Sequence, residues 1–158
     1  MPPPPVPPEI DEFLRQPNHA VVATLRPDGS PHTAVTWYDW EDGRVLLNME
    51  ATRMRLAWMA HDERVALSAI DPENFYPQIS LLGRIVDIHD DAGVVDIDRL
   101  SRRYTGGPYG VRDAPRVSAW TQASPETSSA GLPMTSPRDP ASLRPRRSDP
   151  SPGHGARA

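Results

Sequence analysis

The stretch "HAVVATLRPDGSPHTAVTWYDWEDGRVLLNM", His19 to Met49, decides the fold. It holds three β-rich runs divided by "RPDG" and "EDG". Asp-Gly pairs supply the backbone positions that close antiparallel hairpins, so the runs read as the three strands of a meander. In the middle run a period of two puts Thr33, Val35 and Trp37 on one face and His32, Ala34, Thr36 and Tyr38 on the other.

Working outward, "PPEIDEFLRQP" predicts a short helix with Ile10, Phe13 and Leu14 at helical spacing, stopped by Pro17. On the other side, Thr52 to His61 predicts a second compact helix, with Thr52 as its N-cap and Leu56, Met59 and Ala60 on its buried side. "RVALSAI" returns to strand and "DPENFYP" is a loop. "QISLLGRIVDI" is a long strand in which Gly83 predicts a bulge or bend. "HDD", His89 to Asp91, reads as a solvated loop. "GVVDIDRLSRRYTGGPYG" predicts an amphipathic helix with Val94, Ile97, Leu100 and Tyr104 on one stripe, acids early, arginines late, and Gly106 and Gly107 at its end. "PRVSAW" is a last short strand. The fold class is therefore α+β with mostly antiparallel pairing, and a long strand with a central glycine suits a curved sheet or barrel.

Composition divides the chain of 158 residues into a Pro-rich N-terminus (1–8), a foldable domain (9–121) and a tail (122–158) of Ser, Pro, Ala, Gly and Arg. Both ends are expected to be disordered, because they offer too little apolar surface to offset their ordering entropy. Two readings of the tail stand: a flexible appendage, or a segment translated out of frame, since composition changes abruptly after a plausible final strand.

All 17 basic residues are arginine, against 21 acids, for a net charge of -4. The foldable part is acidic, which disfavours nucleic-acid binding. The absence of cysteine excludes disulfides, thiol catalysis and thiolate metal sites. The five histidines show no metal-ligand spacing, and no G-x-S-x-G, Walker or G-x-G-x-x-G motif occurs. With no apolar run near membrane-spanning length and no signal-peptide pattern, a cytoplasmic protein without membrane contact is expected.

One short segment carries a chemical signal. "EATRMR" sets Arg53 and Arg55 at a helix start, where a first turn ordinarily carries acids. Exposed helix N–H groups and two guanidiniums would suit a phosphate. The competing reading is a solvated pair, or pairing with Glu50, Asp62 or Glu63.

Taken in order, "F-L", "A-x-x-A-T-L", the "D-G-x-P" hairpin, a strand ending near Asn48, the basic helix start, "D-x-R-V", "G-R-I-V-D-I" and "L-S-R-R-Y-T-G" resemble the pyridoxamine 5'-phosphate oxidase-like split β-barrel superfamily. Within it the chain looks like the actinobacterial branch that uses the deazaflavin coenzyme F-420. The resemblance spans about residues 9 to 120. It implies a split β-barrel with short flanking helices, a homodimer, and a cofactor groove at the dimer interface. It places Arg53 and Arg55 at the phosphate, counts Thr52 and Met54 among the cofactor-binding residues, and sets Thr36, Leu47, Asn48 and Met49 against the ring, with His32 and Trp37 beside them. It implies hydride transfer from reduced F-420 to an unsaturated small-molecule acceptor, with no catalytic side chain assigned. An FMN-dependent oxidoreductase, a non-catalytic coenzyme binder and an inactive truncated barrel are the alternatives. Relatives continue the C-terminal strand beyond the position of Trp120.

Overall fold

The computed structural model describes residues 6–74, 77–123 and 129–130. The two Asp-Gly signals close hairpins as their chemistry dictates. Strand β1 (His19–Leu25) pairs antiparallel with β2 (Pro31–Thr36), and the Asp28 carboxylate accepts from the Ser30 N–H at 2.9 Å within the turn. Strand β3 (Asp39–Glu41) pairs with β4 (Arg44–Glu50) around Asp42 and Gly43, whose φ values of 50° and 77° are those of a two-residue primed turn.

The three runs nevertheless do not form a meander. The middle run breaks at Trp37 and Tyr38, and its two parts join different hairpins. Tyr38 is fully buried, and its hydroxyl donates to the Leu14 carbonyl at 3.0 Å. With β5 (Arg64–Ile70), β6 (Gln78–Asp90) and β7 (Arg116–Ala123), the sheet order is β2-β1-β5-β6-β7-β4-β3, with every pairing antiparallel. The two ends of this path, β2 and β3, are consecutive in the chain. The sheet therefore curls round on itself as a split barrel, with Val22, Val45, Leu47, Leu67, Leu81 and Ala119 in its buried core.

Helix α1 (Pro8–Arg15) buries Ile10 and Leu14. Helix α2 (Met54–His61) starts two residues later than its predicted cap. Thr52 is exposed in the preceding turn, Arg53 occupies the N-cap, and no side chain caps the helix. Helix α3 (Val95–Thr105) buries Ile97 and Leu100 and ends at Gly106, whose φ of 82° lets the chain leave the helix.

Gly83 is no bulge. Its pairing with Val65 is in register, and the irregularity lies between Ile85 and Asp87, so Val86 is the extra residue against β7. "HDD" is no solvated loop either. His89 and Asp90 end β6, and Asp91 is buried, accepting the Asp96 and Ile97 N–H groups of α3 at 3.1 and 3.0 Å. The final strand is longer than "PRVSAW", since β7 runs to Ala123 and pairs with both β4 and β6. A two-residue strand β8 (Ser129–Ala130) adds to β6, so these tail residues are paired rather than irregular. The remaining disorder expected of residues 1–5, 124–128 and 131–158 lies outside the described residues. Among the described residues no helix is long and apolar enough to cross a membrane.

His89 clamps α3 to β6. Its Nδ1 lies 2.6 Å from Asp87 Oδ2 and its Nε2 lies 2.9 Å from Asp96 Oδ2. Hydrogen bonds to Asp87, and then Asp96, raise the His89 pKa above its usual value. The linked stability is therefore fully present below about 6.5, the unfolded value, and is lost as pH rises through the higher folded value. Melting temperatures of the wild type and His89→Gln should differ most at pH 6 and converge as the pH is raised. A difference that does not shrink would remove the imidazolium clamp.

Candidate functional site

A cavity of about 640 Å³ opens where the N-terminus of α2 meets β2, β4 and the start of β7. Its walls bring together most of the residues expected around a cofactor: His32, Asn48, Met49, Thr52, Arg53, Met54 and Arg55. Thr36, Trp37 and Leu47 are not in its lining. Thr36 donates to the Trp37 carbonyl, and Trp37 stacks on Tyr104 with ring centres 5.3 Å apart and planes 7° apart. Leu47 is buried in the barrel core, and of its face of β4 only Met49, nearer the strand end, also reaches the cavity.

Seven residues not expected at a cofactor also line the cavity; besides Thr33, Ala34, Val35 and Glu50 they are Trp58, Tyr109 and Arg116. Trp58 follows from the α2 period once Arg55 is placed, being three residues on. Arg116 gave no local signal. It stands opposite Glu50 in the β4–β7 register, and only the folded sheet brings it beside Arg55.

The site is cationic beyond its own compensation. Eight arginines of the described residues, among them Arg64, Arg84, Arg99 and Arg112, lie within ion-pair distance of a carboxylate. The pairing with Asp62 or Glu63 open to Arg53 and Arg55 does not occur, because Asp62 pairs with Arg64 and Glu63 with Arg84. Arg53 reaches Glu50 only at 3.8 Å, with both side chains well exposed, a contact worth roughly 0–1 kcal/mol. Arg55 and Arg116 have no carboxylate partner among the described residues. The other two such arginines, Arg26 and Arg44, lie over the Trp58 and Trp120 rings, and neither is in the cavity lining.

Arg55 bears the cost. Burial, then the Arg53 and Arg116 charges, hold its pKa below the usual arginine value, and its Nε is buried without a hydrogen-bond partner. Guanidinium remains charged in proteins, so this position is relieved by an anion rather than by proton loss. His32 adds a second orphan: its Nδ1 is buried and unpartnered, and its ring meets Trp58 edge-on at 5.1 Å. Buried polar atoms are rarely left so unless a ligand or water completes them. Among the described residues no group of three or more His, Asp or Glu is placed to hold a metal.

A wall of Trp37, Tyr104 and Tyr109 backs the Arg116 side. Trp37 meets Tyr109 edge-on at 6.4 Å, and the Arg116 guanidinium lies 4.8 Å from the centre of the Tyr109 ring. Burial pushes the Tyr104 pKa up to about 12, so its hydroxyl stays a donor, held by the Asn18 carbonyl at 2.7 Å.

Fold and site together define a split barrel with a cationic cavity at the start of α2. The family model described as pyridoxamine 5'-phosphate oxidase matches residues 6–126. The chain belongs to the pyridoxamine 5'-phosphate oxidase-like split-barrel family, which includes flavin-binding oxidoreductases. Among solved structures it is similar to an F-420 reductase, at 28% identity and a TM-score of 0.68, over 75% of this chain and 96% of that one. A conserved hypothetical protein of Mycobacterium tuberculosis is 22% identical with a TM-score of 0.60, over 87% of this chain and 94% of that one. A putative pyridoxamine 5'-phosphate oxidase of Listeria innocua is 11% identical with a TM-score of 0.56, over 73% and 90%; these last two show the fold alone. No curated protein matches the chain.

Proposed function

We propose that this protein is an oxidoreductase that uses F-420 and passes hydride to an unsaturated organic acceptor. The observation that carries the reading is Arg55, half-buried, without a carboxylate partner among the described residues, and flanked by Arg53 and Arg116 in one cavity. Reduced F-420, when bound, supplies two electrons as hydride.

The chain's residues supply binding and orientation. Arg53 and Arg55 would hold the phosphate at the start of α2. Arg116 adds positive charge that suits an acidic coenzyme tail better than the single phosphate of FMN. His32 Nδ1 offers a further polar contact, and Asn48 and Met49 line the strand-side wall. Fixing the reactants in one geometry and excluding water provides the acceleration, so no dedicated acid or base is assigned. A second copy of the chain would complete the groove, and Val35 and Met54, both strongly exposed at its rim, are apolar surface for that contact.

A fluorescence titration of the purified protein with F-420 and, in parallel, with FMN tests the reading. F-420 should bind saturably and more tightly, with an affinity that falls more steeply with salt than that of FMN. Selectivity for FMN would transfer the protein to flavin chemistry. Binding of F-420 without oxidation of the reduced form by any acceptor in a screen would make it a coenzyme binder.

A further inference from the structure

The cavity's third arginine is held from behind. Arg116 donates from Nε to Asn48 Oδ1 at 2.5 Å. That oxygen faces Arg116 only if the Asn48 amide is locked one way round. Asn48 Nδ2 donates to Asp91 Oδ2 and to Ser118 Oγ, both at 3.0 Å, which occupies both amide hydrogens and turns the oxygen toward Arg116. Ser118 cannot set this orientation, because a hydroxyl donates as readily as it accepts, whereas a carboxylate accepts only. Asp91 is fixed in turn by the two α3 N–H groups it caps. Asn48, Asp91 and Ser118 are all buried.

We infer that Asp91 is a positioning residue for the anion site: through Asn48 it determines where the Arg116 guanidinium points. If Asn48 turned over, its NH2 group would face the Arg116 Nε–H, donor against donor, and the arginine would leave that place. Held as it is, Arg116 meets an anion without first losing side-chain freedom, and binding is stronger for it. Asp98 of α3 supports the other side, accepting the Tyr109 N–H at 2.9 Å, and Tyr109 carries the ring against which Arg116 lies. The inference rests on the cavity taking an anionic coenzyme, but its own test does not depend on that.

Asp91 lies ahead of Val94, the N-cap of α3, so Asp91→Ser and Asp91→Asn each loosen its hold on the helix as well as on Asn48, and the Arg116→Ala background separates the two effects. Serine is too short for that reach, and asparagine retains one accepting oxygen. The first readout is the ¹⁵N resonance of the Arg116 Nε–H, identified by its disappearance in Arg116→Ala. It should be displaced, with faster hydrogen exchange, in Asp91→Ser and less so in Asp91→Asn. The second readout is the Kd for F-420 and FMN. Asp91→Ser should raise it about tenfold, Asp91→Asn less, and neither variant should change it more than about twofold in an Arg116→Ala background, as expected of residues acting through one contact.

Equal effects with and without Arg116, or an Nε–H signal that Asp91→Ser leaves unchanged, would overturn the inference. If neither coenzyme binds the wild type, the coenzyme reading fails and the Nε–H signal alone decides the positioning role.

Discussion

Replacing Arg55 with alanine should weaken coenzyme binding by about 1 to 3 kcal/mol, roughly 5- to 150-fold in Kd. The size follows from where the side chain sits. Arg55 is half-buried beside two other guanidiniums, its Nε is buried without a partner, and no carboxylate among the described residues neutralises it. Such a charge interacts with a bound phosphate through less water than a surface arginine would, and hydrogen bonds to charged groups are the stronger ones. Without a ligand, the same truncation relieves repulsion from Arg53 and Arg116, so the apo variant should melt no lower than the wild type. Loss of affinity together with undiminished apo stability is the signature of a residue kept for binding. Arg55→Lys should recover part of the affinity, since charge is kept but the planar fork is lost. An unchanged Kd in Arg55→Ala, measured by the same titration, would return Arg55 to the solvated surface.

The second large effect concerns the barrel. Gly83→Ala should cost about 2 to 3 kcal/mol and lower the melting temperature by roughly 5 to 15 °C. A Cβ at Gly83 would come within 2.6 Å of the Gln122 carbonyl oxygen and 2.6 Å of Thr121 Cγ2. The oxygen is backbone within the β6–β7 ladder, so it cannot rotate aside, and relief requires the strands to separate. Gly107→Ala is the control, because nothing lies within 4 Å of its would-be Cβ. Equal melting temperatures for Gly83→Ala and wild type would show that the β6–β7 approach is loose enough to admit a methyl group.

The two positions differ in how far sequence could identify them. Arg55 was legible because a cation at a helix start contradicts the usual preference for acids, and such a contradiction is local. Gly83 was visible as an anomaly within a strand, but its explanation was not. Sequence reasoning expected a bulge or bend at the glycine, whereas the glycine admits β7 and the bulge follows at Val86. A glycine in a strand is compatible with either, and the choice depends on what packs across from it. The same limit applied to Thr52, a good capping residue that lies one position ahead of the N-cap, which Arg53 occupies.

What the sequence determined by itself was everything governed by neighbours within about four residues. The Asp-Gly turns, the alternation along β1 and β2, the stripe of Ile97 and Leu100 on α3, and the glycine stop after it all depend on local dihedral preferences and local periodicity. Tertiary structure alone decided which strands meet. Nothing local told β4 to pair with β7 rather than with β2, because strand pairing is chosen by the burial of whole faces and by the break at Tyr38, whose ring and hydroxyl fill a place against α1. That choice set Arg116 beside Arg55 and Asp91 beneath Asn48, residues 61 and 43 positions apart in the chain. The cavity's arginine cluster began in sequence as two arginines; the third, and the carboxylate proposed to aim it, stand beside them only because the sheet curls shut.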